Sequence, residues 1–135
     1  MAIDDGPTQL LYGQQRIQDN QLEALPNPTA NRPYLISHEC PEFTCLCPRS
    51  GFPDFATIRI QYVPAGHIIE LKSLKLYING FRDRHLFHEA AVNTILDDLV
   101  TAAAPAWMEV VGDFAVRGNI KTEVAARHGV RPKGA

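Results

Sequence analysis

The chain has 135 residues, 45% of them hydrophobic, with 13 basic and 15 acidic side chains and a formal charge of -2. This length and apolar share fit one domain with a single core, small enough that association with further copies would add useful burial. The near balance of charge excludes the basic footprint of a nucleic-acid binder and carries no membrane-surface signature.

Residues 1–32 mix Gly, Pro, Asn and Gln with little periodicity and read as a loosely tied N-terminal arm. Leu10-Leu11-Tyr12 is its one apolar knot, suited to docking on the body or on a neighbouring copy. Met1 to Pro7 is acidic and lacks the basic and apolar regions of a signal peptide. No apolar run approaches the roughly 20 residues of a bilayer span. Cys40, Cys45 and Cys47 are odd in number and crowded, which argues against a secreted disulfide scaffold. The expected compartment is the cytoplasm.

The body is expected over residues 33–122. Pro33 to Glu39 reads as a short strand through Tyr34, Leu35 and Ile36. Phe43 to Phe55 follows, too rich in Pro and Gly for a helix or a central strand. Within this expected loop Cys47 precedes Pro48 and Asp54 follows Pro53, so a thiol and a carboxyl sit at constrained positions. Such a pair suits a covalent nucleophile with a proton donor. The same residues also fit a small buried cysteine and a turn-forming aspartate.

Phe55 to Val63 alternates in β-branched and aromatic residues, which predicts a strand ended by Pro64-Ala65-Gly66. Leu71, Leu74, Tyr77, Ile78 and Phe81 recur at helical steps and pass through Asn79-Gly80. A second helix is expected over 83–103, with Leu86, Phe87, Ala90, Ile95, Leu96, Leu99 and Val100 as its buried face and Pro105 beyond its end. Trp107 to Ile120 alternates again and predicts one long strand, bent at Gly112. Residues 123–135 read as a small, basic, frayed tail. The order gives an α+β fold, an antiparallel sheet with two consecutive helices on one face.

Four further groupings bear on chemistry. Cys40, Cys45, Cys47, His85 and His88 could form a zinc site, although Cys45-x-Cys47 is tighter than most structural zinc spacings; His85 and His88 would share a helix face. Lys72 and Lys75 lie at a helix start, where cations oppose the dipole. An anionic ligand gaining from both lysines and the free amides would explain that placement; a solvated face is the alternative. His88-Glu89 begins the second helix, and a carboxylate there either compensates the dipole or accepts two N–H groups from a guanine-like ring. Arg117-Gly118, expected to end the last long strand, would let a phosphate approach the backbone.

Glu42-Phe43-Thr44, Leu46-Cys47-Pro48, Gly51, Pro53-Asp54-Phe55-Ala56, the block Glu70 to Tyr77, Phe81-Arg82, Phe87-His88-Glu89, Asn93 and Pro105 fall in the order and spacing of one family. Over roughly residues 30–120 the chain resembles the short, single-module 7-cyano-7-deazaguanine reductases, the nitrile reductases of queuosine biosynthesis. Glu70-Leu71-Lys72-Ser73-Leu74-Lys75-Leu76-Tyr77 matches that family's signature and separates it from its fold relative, GTP cyclohydrolase I.

The resemblance implies a tunnelling fold whose subunits form an oligomeric barrel with active sites between them, typically a decamer of two pentamers. It implies NADPH-dependent reduction of the nitrile of 7-cyano-7-deazaguanine to the amine of 7-aminomethyl-7-deazaguanine, without metal and without direct nucleic-acid contact. On this resemblance Cys47 is the nucleophile that forms a thioimide, Asp54 the proton donor and His88 a helper in protonation. Glu89 anchors the substrate ring, and Ile69, Glu70 and Leu71 form the other substrate-contacting segment. Lys72, Lys75, Arg117 and Gly118 match cofactor-binding positions. The chain departs from the common pattern in having Leu71 and Cys45 where Ser is frequent. No GxGxxG fingerprint is present, so the implied cofactor site is non-Rossmann.

Overall fold

The computed structural model describes residues 9–135; Met1 to Pro7, the acidic start of the expected arm, lies outside them. The rest of that arm is tied down. Helix α1 (Tyr12–Asp19) and strand β1 (Ala24–Pro26) form within it. Asn20 Nδ2 donates to the Ser73 carbonyl at 3.0 Å, and β1 pairs antiparallel with β4 (His67–Ile69). Leu10, Leu11 and Tyr12 stay exposed.

The main sheet comprises β2 (Ile36–Leu46), β3 (Pro53–Val63), β5 (Trp107–Arg117) and β6 (Ile120–Gly129). Their spatial order is β2-β3-β5-β6, antiparallel throughout. The strand expected over Phe55 to Val63 is present and begins two residues earlier, at Pro53. Asp54, Ala56, Ile58, Ile60 and Tyr62 point from it into the core, as the period of two requires.

Three expectations are corrected here. The short strand near Leu35 is an eleven-residue strand, because β2 absorbs Pro41 at a register shift between Cys40 and Phe43. An edge strand tolerates a proline at a bulge, since the missing N–H breaks no ladder there. The single strand through Ile120 is instead a hairpin. Gly118 (φ 56°) and Asn119 (φ 72°) both adopt positive φ, which a two-residue turn of this hand requires. The frayed tail is largely β6, paired with β5 from Arg117↔Ile120 to Trp107↔Gly129.

The helical stripe folds as α2 (Leu71–Asn79) followed by a 3-10 turn, Gly80–Asp83. Helix α3 (His88–Ala103) starts five residues later than expected, and Phe87 and Ala90, expected on its buried face, are exposed because that face turns on Ala91, Val92 and Ile95. The intervening segment is held to the end of β2: Leu46 N–H donates to the Arg84 carbonyl at 2.9 Å, and Leu86 N–H to the Leu46 carbonyl at 3.0 Å. His85 therefore lies in a connector, and the helix face it was expected to share with His88 does not exist. Tyr77 Oη donates to Asp98 at 2.6 Å and joins α2 to α3.

Both helices lie on one face of the sheet, with Leu74, Ile78, Phe81, Val92, Ile95 and Leu99 in one core with Phe43, Ile58, Ile60, Met108, Val110 and Phe114. Burying each such side chain is worth about 1.5–3 kcal/mol. The fold is the α+β arrangement read from the sequence. No helix among the described residues is long and apolar enough to cross a membrane.

Candidate active site

The β2–β3 hairpin sets the site. Its register pairs Cys45 with Asp54 and Leu46 with Pro53, and the loop between runs only over Cys47 to Phe52. Cys47 N–H donates to the Phe52 carbonyl and Gly51 N–H to the Cys47 carbonyl, both at 2.9 Å. Gly51 sits at φ 75°, a conformation that glycine adopts without Cβ strain. Asp54 is thus on a central strand and not on the loop where the sequence reading put it; Pro53, as the first residue of β3, interrupts no ladder bond.

The three thiols are free and sharply differentiated. Cys45 is fully buried, its Sγ directed at the Leu86 carbonyl at 3.8 Å. Burial pushes its thiol up, and the neighbouring Cys47 adds to the effect. Burial also pushes the Cys40 thiol up, reinforced by Glu39. Cys47 goes the other way, lowered to about 7, chiefly by a hydrogen bond from the Ser50 hydroxyl. The Ser50 and Arg49 amides and the Arg117 charge act in the same sense. Ser50 Oγ accepts from Phe52 N–H at 3.2 Å, which leaves its O–H for the sulfur. Near neutral pH a large fraction of Cys47 is nucleophilic thiolate.

Asp54 is buried, with 4% of its surface exposed. Ala56 pairs with Phe114, so the end of β5 runs past Asp54 and delivers Arg117 to it. The guanidinium forms an ion pair with Asp54 Oδ1 without the alignment of a hydrogen bond, so that oxygen has no aligned donor. His88 Nε2 lies 3.4 Å from Oδ2. His88 is the first residue of α3, and its ring stacks on Phe114 with centroids 3.9 Å apart and planes 9° apart. Glu89, beside it in the first turn, is exposed, and its carboxylate forms no ion pair among the described residues.

The structure thus gathers Cys47, Asp54, His88 and Arg117, with Glu89 adjacent. The sequence reading missed Ser50 and Phe114. Ser50 had a detectable signal, a hydroxyl in a Pro-Gly turn three residues after a cysteine; Phe114 had none, since it reads as one more core position.

The other expected contacts lie on α2. Glu70 is its N-cap, accepting from Lys72 N–H at 2.6 Å and Ser73 N–H at 2.8 Å. The amides expected to be free for an anion are therefore occupied by the protein's own carboxylate. Ile69 is buried, and its N–H donates to Tyr62 Oη at 3.0 Å. Leu71, Lys72 and Lys75 are exposed, and neither lysine has an ion-pair partner among the described residues. Leu71 and Lys75 line a cavity of about 420 Å³ with Phe43, Glu42, His38 and Arg82, and Cys47 is not part of it. Arg117 is engaged with Asp54, and Gly118 forms the hairpin turn. Among the described residues no group of three or more His, Cys, Asp or Glu side chains could hold a metal ion.

An antiparallel sheet backed by two helices, carrying a thiol lowered toward neutrality beside a buried carboxylate and an imidazole, defines the class as an α+β protein. Residues 53–133 match the family model described as QueF-like protein. An NADPH-dependent 7-cyano-7-deazaguanine reductase of Anaeromyxobacter sp. (strain Fw109-5) is 65% identical over 113 residues, covering 84% of this chain and 93% of that protein. The protein of the same name from Aquifex aeolicus (strain VF5) is 56% identical over 116 residues, covering 86% and 90%. The crystal structure of the archaeosine synthase QueF-Like in the apo form shares the fold, with a TM-score of 0.69 at 22% identity over 76% of this chain and all of that one. The chain belongs to the family of NADPH-dependent 7-cyano-7-deazaguanine reductases, within the QueF-like proteins.

Two outcomes follow from this geometry. Alkylation of Cys47 by iodoacetamide should rise with pH to half its plateau rate near pH 7, because the hydrogen bonds favour the thiolate. Ser50→Ala should move that midpoint upward, toward the ordinary thiol value; an unmoved midpoint would exclude the Ser50 hydroxyl as the cause. Glu70→Ala should lower the unfolding free energy by about 1 kcal/mol, read from urea titration, through loss of the α2 cap.

Proposed function

We propose that this chain reduces the nitrile of 7-cyano-7-deazaguanine to 7-aminomethyl-7-deazaguanine with NADPH, in queuosine biosynthesis. The observation that carries the reading is a depressed Cys47 thiol that feels the charge of Arg117, which pairs with the buried Asp54 beside His88, in a chain of this family. A nitrile carbon is a modest electrophile, and a thiolate is the side-chain nucleophile suited to it at neutral pH. Cys47 Sγ forms the bond to carbon while the π pair moves to nitrogen, which takes the proton of Asp54 in its carboxyl form; the products are a thioimide and an Asp54 carboxylate that Arg117 balances. His88, 3.4 Å from Asp54, is placed to return protons to that carboxylate as the later steps consume them. The exposed Glu89 carboxylate, with no ion-pair partner among the described residues, suits the ring N–H groups of a deazaguanine.

Lys72 and Lys75 fit a phosphate-bearing cofactor, being cations one turn apart on α2 without ion-pair partners among the described residues, with Lys75 at the cavity rim. They would hold the phosphates of NADPH, which supplies hydride when bound. Arg117 is left to balance Asp54. Glu70 and Ile69 act by fixing the start of α2, so that Leu71 and the lysines face outward.

The cysteine half and the lysine half of the site are read as meeting between copies of the chain. Phe52, Phe55, Phe87, Val116 and Ile120 are exposed around the Cys47 loop and the neighbouring strand ends, and β2 and β6 are open sheet edges. A decamer of two pentamers is the assembly we favour, and three free thiols suit the reducing cytoplasm. A sedimentation mass near ten chains would support this assembly, and a monomer competent in turnover would overturn it.

Mixing the protein with 7-cyano-7-deazaguanine should produce thioimide absorbance, and adding NADPH should convert the nitrile to amine. Cys47→Ala should abolish both. Asp54→Asn should slow adduct formation by about 10²-fold or more, whereas His88→Ala should spare the adduct and slow later steps. Absence of adduct and of NADPH consumption in the parent protein would exclude the reading.

A further inference from the structure

His88 has few restraints for a residue asked to move protons. It stands at the first position of α3, its side chain is 19% exposed, and its one polar partner among the described residues is Asp54 at 3.4 Å. A single long contact leaves an imidazole free to turn about its side-chain bonds. The plane of the ring is fixed instead by Phe114. The two rings lie parallel within 9° at 3.9 Å, whereas the other close aromatic pairs of the core are tilted or edge-on.

The backbone makes room for this stack. Gly112 lies two residues before Phe114, on the same face of β5. A Cβ at Gly112 would come within 2.7 Å of Phe114 Cε2 and 2.6 Å of Val92 Cγ2, closer than real Cβ atoms approach. Val92 is one turn beyond His88 on α3. Two tiers therefore join α3 to β5, Val92 over Gly112 and His88 over Phe114. Phe43 braces Phe114 edge-on from β2, with centroids 6.5 Å apart and planes at 88°.

We propose that Phe114 is a positioning residue for the nitrile reduction: its ring, admitted by the missing side chain at Gly112, sets the plane of the His88 imidazole so that Nε2 faces Asp54. This inference rests on the reductase reading above. Phe114 touches neither substrate nor cofactor in this scheme and acts through His88.

The test is a double-mutant cycle with a spectroscopic arm. Phe114→Leu keeps apolar bulk and removes the planar face. It should lower kcat at least about tenfold with KM little changed, while Cys47 adduct formation persists. In a His88→Ala background the same change should alter turnover less than about twofold, because what it positions is already gone. A loss of equal size in both backgrounds, or no loss in either, would overturn the proposal. In the free protein the His88 ring protons should resonate upfield through the Phe114 ring current and return downfield in Phe114→Leu. Unchanged His88 signals would also overturn it. Should Phe114→Leu fail to fold, Phe114→Met makes the same comparison with a more adaptable side chain. The resonance measurement needs no substrate, so it decides the stack even if the parent protein yields no amine, an outcome that would sink the reductase reading alone.

Discussion

Burying the Asp54 carboxylate costs several kcal/mol unless opposite charge and donors compensate for the lost water. The compensation comes from two distant places in the chain, Arg117 at the end of β5 and His88 at the start of α3. Neither can reach Asp54 unless β3 pairs with β5 in the observed register and α3 lies across that sheet. A slip of one residue along β3 would turn Asp54 to the outer face and an apolar side chain away from the core. The constraint that completes the fold is therefore the one that assembles the site. Cys47 gains from the same arrangement, since Arg117 also favours its thiolate.

Environment, not residue type, decides which thiol reacts. Cys45 and Cys47 are two residues apart, yet burial raises one and hydrogen bonding lowers the other. The difference arises because β2 ends at Leu46. Up to that point the chain follows the sheet, and Cys45 falls under the connector before α3. Beyond it the turn aims amide and hydroxyl donors at sulfur. Two residues earlier, on the strand, the cysteine is a core residue.

Much of this was legible in the sequence, and the failures have physical causes. The alternation of β3, the helical stripe of α2 and the apolar face of α3 report burial directly, so those elements were found. Cys47, Asp54, His88 and Glu89 stand out as candidates because their motifs resemble a family's. β2 was truncated because Pro41 argues against a central strand, and nothing local says that this strand lies at an edge. The Gly118-Asn119 turn was missed because the alternation continues on both sides of it, and β6 because an edge strand with an outward polar face reads like a tail. The ion pair of Arg117 with Asp54 and the Phe114 stack depend on contacts between segments far apart in sequence.

The start of α2 shows how the chain reconciles stability with an exposed cationic site. Lys72 and Lys75 sit where the helix dipole disfavours positive charge, by about 0.3–1 kcal/mol each at exposed positions. The Glu70 carboxylate offsets this, bonding the Lys72 and Ser73 amides and placing negative charge at the same end. Ser73 adds to the anchor, its hydroxyl donating to the Glu70 carbonyl and accepting from Glu23 N–H. The helix is therefore stable without any ligand, and its lysines need not fold inward to satisfy it. A free helix terminus would have bound an anion through its amides and held it against the backbone. A capped one presents only side-chain cations, which reach farther from the backbone and place Lys75 at the cavity rim.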